Sequence, residues 1–150
     1  MKKIQVNHYT DTVIYKIDKV IKGIKSDLNK FVSGVDLSIT TKQYLVLDTI
    51  AGNKEICQQD VATILDMDKS NTKRIVEILE KKGLIDRTTG RKNNRLVNYL
   101  TLTKSGQQFI DDNVDKVKTY LEETFSVITD EELEFLKYFL TKIQKNKDRK

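Results

Sequence analysis

Between Gln58 and Thr103 the chain gathers cations and hydroxyls at spacings suited to holding a polyanion. Lys69, Ser70, Lys73 and Arg74 open a segment of helical periodicity. Counting 100° per residue from Ile75 turns Lys69, Ser70, Lys73 and Glu77 away from an apolar side made by Ile75, Ile78 and Leu79, with Thr72 beside them, and sets Arg74 on its flank. Ammonium, guanidinium and hydroxyl groups suit phosphate oxygens and purine edges. A second polar run, Arg91, Lys92, Asn94 and Arg95, falls in a turn-prone stretch from Thr88 to Arg95 that contains Gly90, and such a loop can reach a groove or a phosphate ridge. Residues 69–95 hold nine basic side chains against three acidic ones, so this segment carries +6 while the whole chain carries +5. That concentration is the electrostatic footprint of a phosphate-backbone binder, and the bland alternative is a solvated charged face.

Several elements must position these groups. Gln58 to Leu65 reads as a short helix burying Val61, Ala62 and Leu65, and Asp66-Met67-Asp68 as a tight turn. The helix 69–82 follows and stops at Gly83, with Lys81-Lys82 favourable for its dipole. Leu84–Thr88 and Leu96–Leu102 read as two strands joined by the basic loop 88–95. Glu55-Ile56 is too short for an independent strand but can add an edge to that hairpin. Ahead of this, Thr40-Thr41-Lys42-Gln43 has capping-box spacing and starts a helix to about Ile50.

Three longer amphipathic helices bracket the module. Val13, Ile14, Ile17, Val20, Ile21, Ile24, Leu28, Phe31 and Val32 make one stripe within 8–33, ended by Ser33-Gly34. Thr103 caps a helix running through Phe109, Ile110, Val114, Val117, Leu121 and Phe125. A second box, Thr129 to Glu132, opens a last helix with Leu133, Leu136, Phe139, Leu140 and Ile143 on one side. A lone chain would leave much of these stripes exposed, so the segments 8–33 and 104–146 are read as dimerisation helices that bury themselves on a second copy, the alternative being that they pack only on their own module. The fold class expected is mainly α with a small β-hairpin wing: one domain over 1–150, with a winged helix-turn-helix at about 37–103.

Composition narrows the remainder. Pro is absent and Gly counts six, which favours long helices. No apolar run approaches a membrane span, and Met1 to Gln5 lacks a signal-peptide core, so a cytoplasmic location and no membrane partner are expected. His8 is the only histidine and no Cys/His/Asp/Glu cluster has ligand spacing, so neither a metal nor a cofactor is expected. No nucleophile–base pair, phosphate-cradling glycine loop or carboxylate pair suggests an enzyme. Cys57, the one cysteine, sits at a helix start that could lower its pKa for redox sensing, but a small residue at a cap-like position reads first as structural. An effector pocket is expected between the long helices and the module. Tyr9, Tyr15 and Tyr44 are its candidate lining, set against the commoner role of such aromatics as core.

These segments resemble, in order, the MarR family of bacterial winged-helix regulators. Leu37 to Leu47 looks like the opening of its second helix, and Cys57-Gln58-Gln59-Asp60-Val61-Ala62 is similar to its Thr-Gln-x-x-Leu-Ala segment. Asp68 to Arg74, Leu79 to Arg87, and Leu102-Thr103-Lys104-Ser105-Gly106 follow the recognition helix, the strand and the post-wing motif. The resemblance implies a homodimer that contacts double-stranded DNA through recognition helix 69–82 and wing 88–95. It also implies repression relieved by a small-molecule effector or by oxidation. By position, Ser70, Asn71, Lys73 and Arg74 would meet the major groove and its phosphates, and Gln58 would sit near a phosphate. The chain departs from the family's Asp-x-Arg wing signature with Asn93-Asn94-Arg95, leaving Arg91 and Arg95 as alternatives for the inserted arginine. Members that sense oxidants place their cysteine in the first helix, where this chain has none. The alternatives to a pseudo-palindrome-reading repressor are a winged-helix protein-interaction module and a non-specific architectural DNA binder.

Overall fold

The computed structural model describes residues 8–33 and 39–149, without the side chains of 31–33. Gly34 and the first two residues of the Leu37–Leu47 segment lie outside these. After a single 3-10 turn at Tyr9–Asp11, the chain forms α1 (Val13–Ser33), α2 (Thr41–Ala51), α3 (Gln58–Ile64) and α4 (Lys69–Lys81). Strands β1 (Ile85–Lys92) and β2 (Arg95–Leu102) follow, then α5 (Lys104–Phe125) and α6 (Asp130–Lys147). Contacts divide the chain into two compact units, residues 1–114 and 115–150.

In the first unit α2, α3, α4 and the hairpin enclose one core. Val46 and Leu47 of α2, Val61 of α3, Val76 and Leu79 of α4, and Leu84, Ile85 and Leu100 around the hairpin are all almost fully buried. The helix starts follow their caps. The Thr40 hydroxyl accepts from the Gln43 N–H while the Gln43 side chain accepts from the Thr40 N–H, and Asp68 accepts from the Asn71 N–H at 2.8 Å. Gly83 follows α4 at φ 70°, the left-handed position a C-cap glycine supplies. Asn29 of α1 accepts from both the Thr41 N–H and the Thr41 hydroxyl, pinning α1 to the start of α2.

The buried side of α4 is Thr72, Ile75, Val76 and Leu79, with Ile78 only half-buried. Val76 therefore replaces Ile78 on the expected inner face. Thr72 is fully buried because its hydroxyl has a partner, donating to the Asp68 carbonyl one turn back at 2.9 Å.

The wing differs from expectation in its turn. The strands run on to Lys92 and resume at Arg95, in a register pairing Lys92 with Arg95 and Ile85 with Leu102. The loop is therefore Asn93-Asn94 alone rather than Thr88–Arg95. Both asparagines have positive φ, 51° and 61°, as a two-residue type I′ hairpin turn demands, and asparagine tolerates this best after glycine. Gly90 serves the strand instead of the turn: a Cβ there would lie 2.7 Å from a ring carbon of Tyr99. Replacing Asn93 and Asn94 together by alanine is expected to cost about 1–2 kcal/mol per residue, which denaturant melts would register.

The hairpin edge is extended by Ile56-Cys57 rather than Glu55-Ile56, since Glu55 turns the chain at φ 56°. The Leu100 N–H donates to the Ile56 carbonyl at 2.9 Å, and Cys57 bridges Tyr99. At the far end Thr103 caps α5, accepting from the Gly106 N–H at 3.0 Å.

The second unit holds the end of α5 and all of α6. The Thr129–Glu132 capping box forms, yet α6 buries no residue: Phe135, Tyr138, Phe139 and Ile143 are each more than half exposed. On α1, in the first unit, Val13, Ile14 and Val20 are likewise exposed.

Candidate nucleic-acid interface

Helix α4 presents Lys69, Ser70, Lys73 and Arg74 to solvent, as the helical count requires. Lys73 lies 3.8 Å from Glu77 one turn on, a loose surface pair. Asn71 is half-buried and turned toward the recess described below. Gln58 is also half-buried, and its side-chain oxygen is enclosed without a hydrogen-bond partner among the described residues.

On an antiparallel ladder directly paired residues share a face. Lys92 and Arg95 thus lie on one face of the hairpin, and Arg91 and Leu96 on the other. The face of Lys92 and Arg95 borders a recess of about 550 Å³ shared with Gln59 and Asp60 of α3 and Lys69 of α4. The hairpin register thus separates the two wing arginines, setting Arg95 beside the start of the reading helix and Arg91 on the outer face.

Within that recess Lys92 is paired. Its ammonium lies 2.8 and 2.9 Å from the two oxygens of Asp60, 32 residues away in sequence. Asp60 also accepts from the Cys57 N–H at 3.0 Å, closing the first turn of α3. Hydrogen bonds from Lys92 first and then from Cys57 hold the Asp60 carboxyl down at about 2, and Asp60 in turn raises Lys92. A carboxyl held below its unfolded value stabilises the fold above about pH 4, the ordinary range. That stabilisation is lost as pH falls toward about 2, through the folded value. Asp60→Asn should therefore be less stable than wild type at pH 6, with the gap closing between about pH 4 and pH 2 in denaturant melts. Arg87 makes a second inter-element pair of the hairpin among the described residues, 2.7 Å from Glu80 of α4.

Among the described residues, no carboxylate pairs with Lys69, Arg74, Arg91 or Arg95. Cys57 is 1% exposed at the N-cap of α3, which favours its structural reading.

The three candidate tyrosines do not converge. Tyr9 and Tyr15 meet edge to face at 6.1 Å, whereas Tyr44 is buried against Phe109 at 6.4 Å. A different recess, of about 540 Å³, opens between α1, α2, the α3–α4 turn and α4. Lys25, Lys42 and Arg74 edge it, with Leu45, Met67 and Ile78 among its apolar walls. Sequence spacing could not find it, because its residues come from four separate segments. No group of three or more His, Cys, Asp or Glu side chains is placed to hold a metal among the described residues. No helix among them is long and apolar enough to cross a membrane.

The MarR family model matches residues 39–97. The transcriptional regulator PapX of Escherichia coli is 28% identical over 127 residues, covering 83% of this chain and 76% of PapX. The crystal structure of the Staphylococcus aureus MepR–DNA complex superposes with a TM-score of 0.81 at 23% identity, over 90% of this chain and 98% of that one. Bordetella bronchiseptica BpsR, whose DNA binding is regulated by 6-hydroxynicotinic acid, gives 0.76 at 18%, over 94% and 99%.

Proposed function

We propose that this chain, whose residues 39–97 match the MarR family model, is a dimeric repressor of that family that binds a pseudo-palindromic operator and is released by a small-molecule effector. The observation that carries this is the alignment of unpaired cations. Lys69 and Arg74 on α4 and Arg95 on the inner wing face lack carboxylate partners among the described residues and stand beside exposed Ser70 and Lys73. Helix α4 supplies base-edge donors for the major groove, and the wing carries Arg95 to the neighbouring backbone or minor groove. MepR has been solved on DNA, which supports the same docking here.

The second copy follows from the exposed faces of α1 and α6. Phe135, Tyr138 and Phe139 cannot be buried within α6's own unit, and a two-fold partner buries them while pairing two reading heads. The recess between α1, α2 and α4 is the seat we assign to the effector. Arg74 edges it and also sits on the reading helix, so an anionic molecule with an apolar body would draw Arg74 away from DNA. We read the protein as a cytoplasmic regulator rather than an enzyme.

Selection of bound fragments from random DNA tests the reading. A recovered site with two inverted half-sites, about one helical turn apart, is the expected result. Equal affinity for scrambled duplex at physiological salt would make the protein an architectural binder, and no binding would leave a protein-interaction module.

A further inference from the structure

Wing cations in a DNA-binding hairpin are commonly counted as phosphate contacts, but one of these is already committed. We propose that Asp60 and Lys92 are positioning residues: their ion pair fixes the wing's angle to the helix-turn-helix, and Lys92 acts through Asp60 rather than on the DNA. This rests on the DNA-binding reading above.

The hairpin is anchored at its root and beside its turn. At its root the Leu100 N–H reaches the Ile56 carbonyl at 2.9 Å, and Arg87 reaches Glu80 of α4 at 2.7 Å. Next to the turn, Lys92 chelates Asp60 on α3. Beyond the Cys57–Tyr99 bridge, Asp60 is the one carboxylate of the described residues that reaches this outer part of the wing. Without it the last residues of both strands and the Asn93-Asn94 turn would be held by the two-stranded ladder alone, and an isolated ribbon bends and twists readily. Arg95 pairs with Lys92 across the ladder, so fixing Lys92 also fixes the strand position from which Arg95 extends. Asp60 is itself rigid, since one of its oxygens closes the first turn of α3. The recess between wing and α4 therefore has a set width, and the reading helix and Arg95 meet the duplex as one pre-formed surface.

The two roles for Lys92 predict opposite signs. If Lys92 positions, Asp60→Asn and Lys92→Met each weaken DNA binding about two- to fivefold, the range for partly exposed ion pairs. The double variant is then no worse than either single one. The slope of log affinity against log salt stays unchanged in Lys92→Met, while Arg95→Ala lowers it by about one. If Lys92 contacts a phosphate, Lys92→Met lowers that slope by about one and Asp60→Asn, by releasing Lys92, tightens binding; either result overturns the proposal. Asparagine keeps an acceptor for the Cys57 N–H, so Asp60→Asn preserves the α3 cap.

The duplex for these titrations is the selected site, with full-length protein. Hydrogen exchange in the DNA-free protein gives an independent arm. Amides from Thr88 to Val97 should exchange about two- to fivefold faster in Asp60→Asn and Lys92→Met. Unchanged exchange would show that the pair does not hold the wing. Failure of the wild-type chain to bind any duplex would remove the regulatory reading, and the exchange arm would still decide the latch.

Discussion

Arg74→Ala is expected to weaken binding to the selected operator by about five- to 150-fold, the span of one good base-edge or charged contact worth about 1–3 kcal/mol. Arg74 lies in the second turn of α4, is exposed, and is paired with no carboxylate among the described residues. Among the described residues no carboxylate competes for its guanidinium, which leaves its donors for a guanine edge or a phosphate. Fluorescence anisotropy on the selected and a scrambled duplex separates these targets. A base contact relaxes sequence preference, whereas a phosphate contact weakens both duplexes alike and lowers the salt slope by about one. Sedimentation should show the dimer intact, because Arg74 lies on neither α1 nor α6. Full retention of affinity would refute the docking of α4.

The largest stability effect is expected at Gly106. A Cβ there would lie 1.9 Å from the Leu84 carbonyl oxygen and 2.9 Å from its carbon. That carbonyl also accepts from the Thr103 N–H at 3.1 Å, and the Thr103 hydroxyl donates to the Gly83 carbonyl at 2.6 Å. The start of α5 is thus bonded to the α4–β1 junction from two sides, and neither backbone can withdraw without losing hydrogen bonds. Alanine favours a helix over glycine by about 1 kcal/mol, but the clash with backbone outweighs this. Gly106→Ala should lose about 2–4 kcal/mol, at or above the usual overpacking range. Gly23 in α1 is the control: a Cβ there meets nothing within 4 Å, so Gly23→Ala should gain about 0.5–1 kcal/mol. Equal midpoints for the two variants would refute the contact. The post-wing Leu-Thr-x-x-Gly motif acquires a physical reason: its glycine permits backbone to touch backbone.

Signals that act over one or two turns were readable in the sequence. The boxes at Thr40 and Thr129, the glycine after α4 and the exposed face of Lys69, Ser70, Lys73 and Arg74 all depend on spacings of three or four residues. What escaped depends on pairing at a distance. Thr88-Thr89-Gly90 has turn composition, yet Gly90 is needed beneath the Tyr99 ring and the turn falls three residues later. The Asp60–Lys92 pair spans 32 residues and leaves no local trace. Tyr44 could be read either as pocket lining or as core, and it is Phe109, from a helix distant in sequence, that buries it. The wing departure that left its arginine ambiguous has a structural meaning too. Asn93-Asn94 forms the tightest hairpin turn, and the resulting register decides which arginine faces the reading helix.

The position of the one thiol has a practical consequence. Cys57 is 1% exposed and sits where α3 meets the wing root, so a water-soluble thiol reagent reaches it only when that junction opens. Its labelling rate is a built-in clock for local opening, with no other cysteine to confuse the signal. Pulse labelling timed against operator concentration would convert that clock into a measure of how far DNA closes the joint, without a dye or an engineered mutation.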